Sequence, residues 1–386
     1  MIRTRRRRLH ALVAVVLAVG ASIATLELAV RVARPDLPFT EPAHDVLFLN
    51  PDRRVGWKHP AEFSFFWNGR NPYCIEFRVQ IATNRFGFRD RARQREKGAG
   101  AIRIAVLGDS FIEAIQVPMQ GTATALLEEA LAQRFPGTPI EVMNFGVSNY
   151  SIGQYLLQYE AYVRPFDPDF VVVFASYLNF SRTVQRELSS RLQAFYALNV
   201  RPSFELGSGG ELMPIPAADY DAYSRQVDGL VQDAFGSDRA MEIAPIWTPL
   251  ALPHWVLNVL SRKARPSASP QRREVQDFPD LDVNYRILET LYEKVQGDDA
   301  VLVFADAFEY LERYGVVRGS GALAARNRAF FEKLGAGYID LSPALRETPA
   351  NPQFECDMHF STDGNRVIAG ALGEWFVPEL TRQLRR

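Results

Sequence analysis

Cysteine is nearly absent: the 386 residues contain two, Cys74 and Cys356. That excludes a disulfide scaffold and a four-cysteine zinc module. Histidine is scarce as well, with five residues, so any imidazole chemistry has few candidates. No His/Cys cluster has metal-ligand spacing, and no glycine-rich phosphate loop follows a strand, so neither a metal nor a nucleotide cofactor is expected. Internal repeats are missing. Charge of one sign is missing too: 44 Lys and Arg face 45 Asp and Glu, a net of −1, which excludes a whole-chain polyelectrolyte built for nucleic acid. What is abundant is apolar residue, 47% of the chain, enough to bury a sizeable core.

The near-zero net charge hides an asymmetry. Residues 1–40 carry seven arginines, Glu27 and Asp36, a net of +5, and the rest of the chain is −6. Arg3, Arg5, Arg6, Arg7 and Arg8 precede an apolar run over residues 9–26, broken only by His10, Gly20, Ser22 and Thr25. Eighteen helical residues rise about 27 Å, close to the hydrocarbon thickness of about 30 Å, and continuing to Val32 makes the span ample. The expectation is a membrane segment over residues 9–32, with residues 1–34 forming a cytoplasmic basic stub and signal anchor. The positive-inside rule holds the arginines in the cytoplasm and sends everything after Arg34 across the membrane, out of the cytoplasm. A cleaved signal peptide is the rival, since Ser22-Ile23-Ala24 has the small-x-small form of a cleavage site. A buried soluble helix fits poorly, being rarely apolar all round behind five arginines.

Residues 35–100 read as a β-rich appendage with a linker. Residues 75–81 alternate apolar and polar with the period of a half-buried strand, residues 63–67 form another, and residues 91–100 are a polar connection. From residue 101 the pattern becomes strand–helix alternation, the mark of a parallel α/β sheet. Strands are expected at 102–107, 140–143, 170–175, 300–305 and 338–341. Helices are expected at 122–135, 151–163, 284–295, 322–334 and 363–382. Residues 181–283 interrupt this rhythm and read as an insertion within the domain spanning 101–386. The insertion holds a Pro-rich aromatic patch with Trp247, His254 and Trp255.

The chemistry gathers where strands end. Gly108-Asp109-Ser110 follows the first sheet strand, on the rim where open α/β sheets bind ligands. By itself the tripeptide is equally a helix N-cap phrase. Asp357-Met358-His359 precedes the last helix and supplies what a nucleophilic serine needs: a base, and an acid on the base's other nitrogen. The remaining histidines are elsewhere, His10 in the anchor, His44 and His59 in the appendage and His254 in the insertion. Donors for an oxyanion are available on the same rim. Backbone N–H groups of Ser110 and of the loop carrying Gly146 and Asn149 are candidates, as is the carboxamide of Asn179, which is equally a turn residue.

These blocks, in this order, resemble the SGNH (GDSL-type) hydrolase superfamily over residues 102–382, apart from the insertion. The phrase Thr83-Asn84-Arg85-Phe86-Gly87-Phe88-Arg89-Asp90 is similar to the lead-in of membrane-anchored bacterial members. The resemblance implies a three-layer, flavodoxin-like parallel sheet of about five strands. It implies Ser110 as nucleophile, His359 as base, Asp357 as acid, and an oxyanion hole from Ser110, Gly146 or Asn149, and Asn179. Asn149 stands where the family usually has Gly. Tyr177 and Phe180 replace the usual Gly and Asp, and Asp109 and Tyr177 are expected to meet substrate. The activity implied is extracytoplasmic hydrolysis of O-acyl, for instance acetyl, esters. Alternatives are O-acyl transfer to an envelope or exported polysaccharide, and a catalytically degenerate glycan-binding domain. Cys74 and Cys356 are open to either a disulfide or two free thiols.

Overall fold

The computed structural model describes residues 2–33, 50–67, 76–183, 201–215, 221, 225, 273–274, 281–312, 317–318, 320–355 and 357–385. Both cysteines, and Trp247, His254 and Trp255 with most of the insertion, lie outside the described residues. The chain divides into two compact units, one including α1 (Ile2–Ala33) and one including, among the described residues, every strand and the remaining helices.

Helix α1 is 32 residues long. Within it, Leu12–Ala33 has a mean hydropathy of 2.2, long and apolar enough by composition to cross a membrane. Glu27, the carboxylate inside the run, pairs with Arg31 one turn later at 2.7 Å.

The second unit opens with two antiparallel pairs: β1 (Asn50–Asp52) with β2 (Gly56–Lys58), and β3 (Ser64–Trp67) with β4 (Val79–Ala82). The alternation over 75–81 therefore yields a strand only from Val79, because the pairing register opens at Trp67↔Val79. Residues 76–78 are irregular, and residue 75 lies outside the described residues.

The sheet follows. Its elements are β5 (Ile102–Gly108), α2 (Ser110–Glu113), α3 (Ala123–Arg134), β6 (Ile140–Gly146), α4 (Ile152–Gln158), β7 (Phe170–Ala175) and α5 (Tyr177–Thr183). A hairpin, β8 (Ser203–Leu206) and β9 (Leu212–Ile215), is the described part of the insertion, together with β10 (Arg273–Glu274). Then come α6 (Leu281–Gly297), β11 (Val301–Asp306), α7 (Phe308–Glu312), β12 (Val317–Arg318), α8 (Ser320–Leu334), β13 (Gly337–Asp340), α9 (Ser342–Glu347) and α10 (Thr362–Gln383).

Five strands pair in parallel in the order β13-β11-β7-β5-β6. In sheet strands alone this is 2-1-3-4-5, the flavodoxin-like order, with β5 flanked on both sides at the point where the order reverses. Strands β5 and β7 are buried at every residue, as an apolar run with helices on both faces requires. Helix α3 packs on α10, and α4 packs on α6. Helix α8 joins α6 through Tyr285 and Phe330, whose rings lie 4.8 Å apart.

One expectation needs correction. Residues 151–163 are not one helix: α4 stops at Gln158 and passes into a π turn, Tyr159–Val163, and a 3₁₀ turn, Arg164–Phe166, that contains Pro165. Residues 91–100 form neither strand nor helix, and this connection is pinned to the sheet. Arg93 is buried, bonded to Asp90 at 2.8 Å, Glu128 at 2.7 Å and the Val142 carbonyl at 2.8 Å. From β5, the Arg103 guanidinium donates to the carbonyls of Gln94, Arg95 and Glu96. A boundary at residue 100 is thus bridged by buried charge, and β1–β4 belong to the same compact unit as the sheet.

Candidate active site

Strand β5 delivers Gly108-Asp109-Ser110 to the carboxyl rim. Asp109 is the N-cap of α2, its carboxylate accepting from the Phe111 N–H at 3.1 Å. The capping duty falls on Asp109, which leaves the Ser110 hydroxyl free for another partner. That partner is His359, whose Nε2 lies 2.7 Å from Ser110 Oγ across 249 residues of sequence.

His359 is placed by a short loop. Gln353 and Phe360 form an antiparallel bridge, and Phe354 N–H donates to the His359 carbonyl at 3.1 Å. Asp357 Oδ1 accepts from the His359 backbone N–H at 3.0 Å and lies 2.5 Å from Nδ1. With the proton on Nδ1, facing Asp357, Nε2 presents a lone pair to the serine hydroxyl. Burial pulls the imidazole pKa down. The charge and hydrogen bond of Asp357, reinforced by Asp109 and Glu113, outweigh it, so His359 sits above its ordinary value.

The oxyanion donors differ from expectation. Asn179 is fully buried, and its carboxamide N–H₂ faces Asp109 Oδ2 at 3.0 Å, the Tyr150 carbonyl at 2.8 Å and Tyr155 Oη at 2.9 Å. Its oxygen accepts from Ser176 N–H at 2.6 Å. Both ends are engaged, so Asn179 braces the floor of the site and has no N–H left for an oxyanion. Gly146 N–H is likewise engaged, by Asn144 Oδ1 at 2.8 Å. The role of Gly146 is steric: a Cβ there would lie 2.2 Å from the Glu113 backbone nitrogen, so only glycine lets β6 approach α2. Among the described residues, the backbone N–H groups of Ser110 and Asn149 meet no acceptor. Asn149 has φ 65°, a left-handed conformation that Asn tolerates better than most residues with a Cβ.

Two residues expected to meet substrate do not reach the surface of the site. Asp109 is fully buried among the Phe111 N–H, Asn179 and Arg182, whose Nη1 lies 2.8 Å away. Tyr177 is 3% exposed as the first residue of α5.

Beneath Ser110 lies a layer of buried charge that the sequence pattern does not mark. Glu113, one turn after Ser110, is fully buried against His59, with Nε2 2.7 Å from Oε1, and accepts from Ser148 Oγ–H. Arg89 is buried and donates to the carbonyls of Glu113, Ala114 and Val117. Burial lowers its pKa to about 10, against the opposing pull of Glu113. The only advance signal was the Thr83–Asp90 phrase that contains Arg89; nothing near His59 in the sequence marks its partner.

No family model matches the chain, and no curated protein matches it. Among solved structures, a catalytic mutant of the acetylxylan esterase Axe2 from Geobacillus stearothermophilus is similar at 11% identity and a TM-score of 0.38. The match covers 70% of this chain and 92% of that one. TesA is similar at 13% identity and a TM-score of 0.37, covering 72% and 98%. A structure described as a lipolytic protein of the G-D-S-L family from Desulfitobacterium hafniense DCB-2 is similar at 10% identity and a TM-score of 0.36, covering 70% and 98%. At these levels the relatives lend this chain no activity.

Proposed function

We propose that the chain is a serine ester hydrolase of the SGNH type, working through an acyl-enzyme. The observation that carries this reading is the relay Ser110 Oγ, His359 Nε2, His359 Nδ1, Asp357 Oδ1, with contacts of 2.7 and 2.5 Å at the carboxyl rim of the sheet. His359 takes the hydroxyl proton as Ser110 attacks an ester carbonyl, and Asp357 holds the tautomer and stabilises the imidazolium. The N–H groups of Ser110 and Asn149 receive the oxyanion. His359 then returns its proton to the leaving alcohol and activates the water that frees the acid.

The substrate class is an O-acyl ester, acetyl esters of a glycan foremost. The working side is extracytoplasmic, with α1 as anchor, on the strength of the five arginines ahead of the apolar run. The same acyl-enzyme would serve transfer to a sugar hydroxyl.

Active-site labelling tests the reading. A fluorophosphonate should modify wild type at Ser110, and Ser110→Ala should lose both labelling and ester hydrolysis; a fully active Ser110→Ala overturns it. A panel of acyl esters, run with and without glycan acceptor, separates hydrolysis from transfer by its products. An unlabelled wild type would leave the degenerate, glycan-binding alternative.

A further inference from the structure

Residues 147–150 form a turn closed by a hydrogen bond from Tyr150 N–H to the Val147 carbonyl at 3.3 Å. Its third residue, Asn149, has φ 65°, and its second, Ser148, is not among the positive-φ residues. A turn with a positive φ at the third position alone is type II. Type I and type II turns differ chiefly by a flip of the central peptide, here the one joining Ser148 to Asn149. In this plane the carbonyl and the N–H point in opposite directions. Whatever fixes the Ser148 oxygen therefore fixes the Asn149 N–H.

The Ser148 oxygen is fixed by Trp57. Indole Nε1–H donates to it at 3.1 Å, in a fully buried contact spanning 91 residues of sequence. The indole is itself gripped. Tyr150 packs edge-on at 5.5 Å and donates its hydroxyl to the Trp57 carbonyl. The Arg201 guanidinium lies 5.5 Å above the ring and donates to the Asn149 carbonyl at 2.9 Å. The flip would also be locally favoured, because the left-handed conformation costs any residue with a Cβ, and Asn149 would leave it on passing to type I. Nothing in the turn's own sequence supplies the glycine that would make type II free of cost.

We propose that Trp57 is a positioning residue for catalysis: its indole N–H holds the Ser148–Asn149 peptide in the type II orientation and so keeps the Asn149 N–H available to the oxyanion. Trp57 touches no reacting atom; it acts through the turn. The inference rests on the hydrolase reading and gives β2, far upstream of the triad, a part in the reaction.

The test compares Trp57→Phe, the same site carrying β-(3-benzothienyl)alanine, and the double variant Trp57→Phe with Asn149→Gly. The benzothienyl analogue keeps the ring volume and lacks the donor, which separates the hydrogen bond from packing should the Phe variant fold poorly. Both single variants should lower kcat on 4-nitrophenyl acetate by about ten- to a hundredfold, approaching the loss of an oxyanion donor. KM should change little, and fluorophosphonate labelling of Ser110 should slow in parallel. Glycine at 149 removes the cost of φ > 0, so the double variant should recover most of the lost kcat. Unimpaired turnover in the benzothienyl protein, or a double variant no better than Trp57→Phe, overturns the inference while wild type still labels. A wild type that does not label overturns the hydrolase reading and this inference with it.

Discussion

At the scale of single residues, His359 carries the sharpest prediction. A general base must be neutral to accept the serine proton, and the surroundings of His359 raise its pKa above the ordinary 6.5. Activity should therefore fall as pH drops through a value higher than 6.5, a limb displaced toward neutrality. Asp357→Asn removes the charge that opposes burial, so the limb of kcat/KM should move to lower pH. Turnover at its plateau should drop by about 10⁴, through loss of the correct tautomer. A pH–rate profile on a simple aryl ester checks both, and an acid limb that stays put in Asp357→Asn contradicts the assigned cause. The three residues that meet in the relay are legible because each stands at an element boundary: Ser110 just past β5, and Asp357 and His359 two residues apart before the closing helix. The partners of Asn179 are not legible in the sequence, for a physical reason. A carboxamide donates equally well to a ligand or to its own protein. Which it does depends on Asp109, Tyr150 and Tyr155, residues 70, 29 and 24 positions away. No local pattern encodes those contacts, nor the buried pairing of His59 with Glu113.

Elements bring in a different limit, the space between them. The parallel strands could be read from apolar runs such as Phe170–Ala175, because a strand covered on both faces has no polar side to alternate. The short antiparallel strands could be read only in outline, since the length of β4 is set by how far β3 runs beside it. Glycine at the end of β6 gives this limit a number. A Cβ on Gly146 would sit 2.2 Å from the Glu113 nitrogen and 2.7 Å from the Ile112 carbonyl carbon, both backbone atoms that cannot rotate aside. Gly146→Ala must push β6 from α2, the helix that begins with Ser110. Overpacking of this kind costs about 1–3 kcal/mol, and a displaced nucleophile should lower kcat at least tenfold. Gly370 offers the contrast: it lies on the exposed side of α10 with no atom near a would-be Cβ. Gly370→Ala should raise stability by about 0.5–1 kcal/mol and leave kcat alone. Denaturant unfolding and steady-state kinetics on the two variants distinguish a steric glycine from a dispensable one. Equal stabilities in the two would show that β6 and α2 are less closely apposed.

The whole molecule raises the question of where this chemistry operates. Helix α1 exposes apolar side chains around its surface, Leu12 at 61%, Leu17 at 67% and Leu28 at 62% among them. Each such side chain left in water forgoes about 1.5–3 kcal/mol that an apolar medium would provide, and a run of 22 residues multiplies that deficit. A bilayer removes it, and the Glu27–Arg31 pair lessens the cost of the one carboxylate in the run. Charge predicts the orientation: five arginines precede the apolar run, against two, Arg31 and Arg34, at its far end. Expressed in full in a bacterial host, the chain should stay with membranes through alkaline carbonate, keep residues 1–24 by mass, and lose its body to protease added outside spheroplasts. Replacing Arg3, Arg5, Arg6, Arg7 and Arg8 by Asn should reduce the protease-accessible fraction while leaving the catalytic parameters of the correctly oriented molecules unchanged, because α1 lies in a different compact unit from Ser110, Asp357 and His359. A soluble product beginning near residue 25 would instead make the segment a leader, cut after Ser22-Ile23-Ala24, and would free the second unit from the membrane.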